Sequence, residues 1–283
     1  MANTISTYCK EYVNNSLEKL RMFNTYSLAM DLVKNYISHT GKVVSYDSIT
    51  IASGMGTFDR DTGYTKKDIT ATRVDKTLSK DYGNSLVLDA MDRDEAQIED
   101  GIVGLYNRYW IKNVIPTFDT TVYTNVASDT SVPEAVVATV STTNILSSLL
   151  ADKKTIENKR VKWEECIIYI SVSAKSILDE VSLGKGYLQL GNWNGNMDAT
   201  VEMFKSAKLV VVPDATLGSN INWLIVHPLA VSAFVVYQDA EFFEKVPGYG
   251  TRRKQVDVGL YFDAWVEPNG YDGTLVNVKV TRA

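Results

Sequence analysis

A chain of 283 residues, 45% apolar and 22% charged, can bury a sizeable core as one large domain or two modest ones. Its formal net charge of −5 argues against a protein whose main work is gripping nucleic-acid phosphates. It does not exclude enclosing nucleic acid, because a lining attracted to every phosphate would impede filling and release.

Residues Ser16 to Ser38 carry Leu17, Leu20, Phe23, Leu28, Leu32, Val33, Tyr36 and Ile37 at mostly helical spacing, and Thr40 and Gly41 supply stop signals. From Lys42 to Ala52 the sequence VVSYDSITIA reads as a strand, and a return strand begins at Ile69. The tip between them, SGMGTFDRDTGYTKKD, is rich in glycine and charge. Neither strand has a clean apolar face, and a two-stranded ribbon of that kind is marginal alone in water. It therefore needs something to lie on, its own domain or another molecule.

Leu86, Val87 and Leu88 suit a further strand, after which Asp92, Asp94, Glu95, Glu99 and Asp100 crowd the start of a long helix. Ile98, Ile102, Leu105 and Tyr109 mark one face of that helix. Pro116 lacks a donor N–H and clashes with the preceding turn, so a kink or restart is expected there. Ser128 to Pro133 is a polar connector and a candidate hinge.

Thr143 or Asn144 can cap a helix whose apolar face is Ile145, Leu146, Leu149, Leu150 and Ile156. Cys166–Val172, Ala207–Pro213 and Asn222–Pro228 are continuous apolar runs, typical of strands buried on both faces. Together with intervening helices they describe an α/β layer. Pro228 can open a helix through Leu229, Ala230, Ala233 and Phe234. In QVDVGLYFDAWV, Val256, Val258, Leu260, Phe262, Ala264 and Val266 alternate with mostly polar neighbours, a long two-sided strand for which TLVNVKV offers a partner.

Chemistry-bearing motifs are scarce. His39 and His227 are the only histidines, and His227, before Pro228, reads as a hydrogen-bonded structural residue. Cys9 and Cys166 are far apart without a CxxC pair, so neither a disulfide framework nor a zinc site is indicated, and Cys166 reads as a buried thiol. No signal peptide or apolar stretch of about 20 residues is apparent, which points to a reducing cytoplasm. In LGKGYLQLGNWNGN, Asp179 stands where a phosphate loop needs its first glycine, which leaves a loop and hairpin. Asp89, Asp92, Asp94 and Glu95 could attract a divalent cation, although charges at a helix start account for them more simply. Arg252, Arg253 and Lys254 form the densest basic cluster, a solvated loop unless it meets acidic residues of a neighbour or enclosed DNA.

The segment DKTLSKDYGNSLVLDAMDRDEAQ, followed by the helix and by VIPTFDTTVYTNVA, resembles the major capsid proteins of tailed bacteriophages with the Hong Kong 97-type fold. YFDAWV is similar to the segment that joins the sheets near the end of such chains. The resemblance implies an α+β protein with an N-arm (1–41), an extended β-hairpin E-loop (42–88) and a peripheral domain with a long spine helix (89–132). An axial α/β domain (133–250) and C-terminal strands completing the sheets (251–283) would follow.

It further implies a structural virion protein rather than an enzyme, with no cofactor. Pentamers and hexamers of the head subunit would self-assemble into an icosahedral shell enclosing double-stranded DNA without sequence-specific binding. Such a virion capsid is assembled in the host cytoplasm and carries a portal protein. A separate scaffolding protein is expected, because the presumed E-loop begins by about Lys42. Gly54, Gly56, Phe58, Arg60, Tyr64, Lys66 and Lys67 at the ribbon tip, with Arg252, Arg253 and Lys254, become inter-subunit contact candidates, and Pro116 a maturation bend. The alternatives are an encapsulin-like nanocompartment and a soluble α/β enzyme with an acidic pocket around Asp89 to Glu95.

Overall fold

The computed structural model describes residues 28–33, 39–40, 42–51, 54–61, 63–89, 104, 106–107, 109–182, 188–192, 200–244, 246, 248–249 and 252–282. The chain divides into two compact units, one formed by 35–79 and the other by the rest.

The small unit is the ribbon. Strand β1 (His39–Thr40) pairs with β2 (Val43–Ile51), and β2 pairs antiparallel with β3 (Ile69–Thr77), from Val43 opposite Thr77 to Ile51 opposite Ile69. Strand β4 (Lys80–Asp89), next in the chain, takes its partner within the large unit instead.

In the large unit a π turn at Trp110–Val114 leads into helix α1, Ile115–Ser128. Ile115, Phe118, Val122, Tyr123 and Val126 are buried at helical spacing, and their ridge lies between two sheets. Phe118 meets Phe262 at 4.7 Å between ring centroids, and Tyr123 meets Tyr169 at 5.0 Å. The expected kink or restart at Pro116 takes the form of a change of helix type: the turn ahead of the proline has π geometry, and α1 starts at Ile115 (φ −61°, ψ −50°) with Pro116 in its first turn.

The first sheet orders β11 (Val231–Phe243), β12 (Arg253–Val266) and β4, all antiparallel. Its inner face is the set read from the alternation, with Val256, Val258, Leu260, Phe262, Ala264 and Val266 all buried. The second sheet has seven strands in the order β5 (Glu134–Val136), β13 (Thr274–Val278), β10 (Ile221–Val226), β6 (Ile167–Ser171), β9 (Ala207–Val212), β8 (Thr200–Phe204) and β7 (Leu188–Asn192).

The three apolar runs are its centre, β10–β6–β9; β10 and β6 are buried on both faces, whereas β9 leaves Val211 37% exposed. Ile167, Tyr169, Leu224 and Val226 pack in the core that holds α1. Ile168, Ile170, Trp223 and Ile225 face the other way, in the core of helices α2 (Ile145–Asn158) and α3 (Val172–Ser182). The LGKGYLQLGNWNGN region supplies β7, which pairs antiparallel with β8 as the hairpin reading anticipates; 183–187 and 193–199, where the loop was expected, lie outside the described residues.

Two local expectations are corrected. Pro228 opens no helix: residues 227–230 form a turn closed by the Ala230 N–H donating to His227 O, and β11 begins at Val231. The stretch VSAFVVYQDAEFF is β-branched and aromatic, and its pairing with β12 overrides the helical start signal. TLVNVKV is not the partner of β12. As β13 it lies antiparallel to β10 and parallel to β5, because its five residues are all buried and need cover on both faces.

Most of the predicted first helix lies outside the described residues, but 28–33 pack on the chain's own core. The N–H groups of Leu28 and Ala29 donate to Asp119 on α1 at 3.0 and 3.1 Å, Asp31 pairs with Lys208, and Leu32 is fully buried. Asp119→Ala would orphan two backbone donors, one of them buried. It is expected to cost about 2–3 kcal/mol in a urea melt, against roughly nothing for the exposed Asp61→Ala.

Candidate functional site

The ribbon tip gathers the first group of candidates. Asp59 and Gly63 exchange backbone hydrogen bonds of 3.2 and 2.8 Å, and the Asp61 N–H donates to the Asp59 side chain at 2.7 Å. Gly63 holds φ +80°, and a Cβ on Gly56 would collide with Thr65, so glycine is required at both places. This tight turn sets Phe58 and Tyr64 side by side, with ring centroids 5.0 Å apart. They are 57% and 87% exposed, with Met55 and Ile69 also outside. Arg60, Lys66 and Lys67 are exposed on the same tip, and Gly54 enters it at φ +85°. All seven tip candidates thus fall on one short exposed segment that carries an aromatic pair among cations.

The basic cluster separates by role. Arg253 is committed within its own unit: its Nε donates to Asp89 at 3.2 Å and its guanidinium lies 3.7 Å from the Tyr249 ring centroid. Arg252 and Lys254 are exposed. Asp89, with its carboxylate on Arg253, is the one member of the acidic set among the described residues, and no three metal-ligating side chains cluster among them. Asp92, Asp94 and Glu95 lie outside the described residues, as does Cys9.

The other candidate groups are structural. The Leu229 N–H donates to His227 Nδ1 at 3.2 Å, which leaves Nε2 to carry the proton and donate to Glu165 at 3.1 Å. Lys162, hydrogen-bonded at 2.9 Å, and then His227 hold the Glu165 carboxyl below its ordinary range. Burial pushes the Cys166 thiol up to about 12, so it is inert as a nucleophile. A cleft of about 280 Å³ lies where the π turn meets β4 and β12, lined by Tyr82, Asn84, Tyr109, Asn113, Thr117 and Leu260. The Thr117 hydroxyl donates to Asn113 O at 2.7 Å, which satisfies a carbonyl in the turn ahead of Pro116.

Sequence reading missed three polar anchors: Asp119, Asp152 and Arg282. Asp119 falls on the buried ridge of α1 and Asp152 on the inner face of α2, so a carboxylate at a core position of each helical wheel was the available signal. Arg282, in an unpatterned tail, offered none.

No protein-family model and no curated protein matches the chain. Solved structures do. The capsid structure of cyanophage P-SCSP1u aligns at TM-score 0.64 with 12% identity, over 88% of this chain and 86% of that one. A structure from Mycobacterium phage Che8 gives 0.60 and 14%, over 88% and 89%. The holo-SrpI encapsulin complex from Synechococcus elongatus gives 0.57 and 12%, over 92% and 89%. A likeness this extensive at such low identity is one of fold, and the chain has the mixed α+β, Hong Kong 97-type fold of phage capsid structures.

Proposed function

We infer that the chain is a structural shell subunit, the major capsid protein of a tailed bacteriophage. The observation that carries this reading is the alignment with phage capsid structures over 88% of the chain. On this reading 1–41 is the N-arm, 42–88 the E-loop, 89–132 the peripheral domain, 133–250 the axial domain and 251–283 the closing strands. Pentamers and hexamers close into an icosahedral shell in the host cytoplasm with a scaffolding protein and a portal. Double-stranded DNA is enclosed without sequence readout, in keeping with the acidic net charge. No reaction is catalysed; many modest contacts sum over a closed symmetric assembly.

Negative-stain microscopy with light scattering tests this on the purified chain. Closed shells tens of nanometres across, or pentamers and hexamers that convert to them with a scaffold, are expected. A monodisperse monomer or dimer under every assembly condition would overturn it. The encapsulin alignment, over 92% of the chain, favours a protein-filled nanocompartment as the second reading. Shells purified with a protein cargo and no nucleic acid would select it.

Within the capsid reading Pro116 is the maturation bend, and the π turn beside it is the compliant element. Pro116→Ala restores a donor and is expected to move the pH or temperature of shell expansion; shells that expand under wild-type conditions would remove Pro116 from that role.

A further inference from the structure

Helix α1 ends without the usual devices. Its last turn carries no basic residue, its cap Asp129 is extended (φ −70°, ψ 111°), and its final carbonyls have no partners further along the helix. The connector that follows is held locally by two bonds to Asp129, from the Val132 N–H to its carbonyl at 3.1 Å and from the Ser131 N–H to its side chain at 2.9 Å. By composition this stretch is a candidate hinge.

The structure fills the gap from a residue about 150 positions away in sequence. The guanidinium of Arg282 donates from Nη1 to Ala127 O at 2.6 Å and Asp129 O at 2.8 Å, and from Nη2 to Val132 O at 2.6 Å. Its Nε donates to the Glu134 carboxylate at 2.7 Å, and its backbone N–H reaches the same oxygen at 3.2 Å. Four of the five guanidinium N–H groups are therefore engaged, on the end of a helix, both sides of a turn and the first residue of β5. The side chains of Arg282 and Glu134 are only 16% and 19% exposed, unlike those of a weak surface ion pair. A cation at this place also opposes the negative end of the helix dipole. Directly downstream, the Val276 N–H donates to Pro133 O at 3.0 Å and the Val137 N–H to Val278 O at 2.9 Å, so the clamped turn runs straight into the seven-stranded sheet.

We propose that Arg282 and Glu134 form a latch that turns the connector 128–133 from a hinge into a rigid joint, making helix α1 and the seven-stranded sheet move as one body. The fork geometry is what the latch needs. A lysine brings the charge, but as a point donor it cannot span three carbonyls and a carboxylate at once. With this end of α1 fixed, compliance along the helix falls to the π turn at its other end. The latch belongs to the free subunit and does not depend on the shell reading.

Hydrogen–deuterium exchange on the full-length subunit tests it. In Arg282→Gln, amides in 129–137 are expected to exchange at least about tenfold faster than in wild type, while β6, Ile167–Ser171, keeps its protection. Arg282→Lys and Glu134→Gln each retain part of the latch and are expected to fall between, which keeps the test open if Arg282→Gln does not fold. Unchanged protection in 129–137 of any folded Arg282 variant overturns the latch. Loosening spread equally over β6 also overturns it, because that would mark a general loss of stability.

Discussion

Asp152→Ala is expected to destabilise the protein by about 3–5 kcal/mol. The carboxylate is 4% exposed on the inner face of α2. Its Oδ2 accepts from Trp223 Nε1 at 2.8 Å and from Asn277 Nδ2 at 3.0 Å. Asn277 in turn accepts from Asn222 Nδ2 at 3.0 Å, and that amide also donates to Val137 O at 2.9 Å. One acid on a helix thus anchors neighbouring strands β10 and β13 of the sheet beneath it. Truncation strands two donors in an apolar core, at about 1–3 kcal/mol each, and leaves a small void.

The charge itself has the opposite sign. Burial raises the Asp152 carboxyl above its ordinary range, and the hydrogen bonds from Trp223 and then Asn277 only partly offset this. With the folded value above the unfolded one, the native state holds the proton to higher pH. The residue's contribution is therefore greatest below the unfolded value and declines as pH rises through the folded one. Asp152→Asn keeps an acceptor and cannot ionise. The stability difference between wild type and Asp152→Asn should shift in the mutant's favour between acid and neutral pH in paired urea melts. A difference independent of pH would show that the carboxylate is not titrating in that buried site.

What could be read in advance follows from how local each signal was. The strands at 167–171 and 221–226 were legible because burial on both faces leaves an unbroken apolar run, and β12 because burial on one face leaves an alternation; 207–212 gave the same apolar run although Val211 is exposed. The ribbon was legible from its mixed faces and glycine-rich tip. The partner of β13 was not, since an all-buried strand shows its depth in the sheet but not its neighbours. At Pro228 a start signal met a segment whose pairing with fourteen-residue β12 decided the outcome. Of the candidate site, Phe58 and Tyr64 were visible as residues, but their ring contact depends on a turn closed by backbone bonds. Arg253 was visible as charge, while Asp89, its partner, is distant in sequence. The Arg282 joint has no local pattern at all.

On the proposed capsid reading, Phe58→Ala/Tyr64→Ala is expected to abolish or grossly impair shell closure while leaving the melting temperature of the free chain within about 1 °C of wild type. Both halves of that expectation follow from exposure. With 57% and 87% of their surfaces in water, the two rings contribute little to the fold of the chain that carries them. A tilted aromatic pair held by a tight turn loses little side-chain entropy on docking, and such anchors typically carry about 2 kcal/mol or more of a contact. In a closed shell every subunit repeats that loss, so a weakening that is modest per contact becomes a large shift in assembly concentration.

Arg60→Ala is the contrasting control. A rim cation acts on encounter and salt dependence, so assembly should slow at low salt and recover in final yield. Light scattering of assembly, paired with a thermal melt of the free subunit, separates the outcomes. Normal shells from the double variant would mean that the ribbon tip is not an anchoring contact. A melting temperature lowered by many degrees would mean that the rings pack on their own chain. Loss of shells with an unchanged melt locates the energy of assembly in the tip.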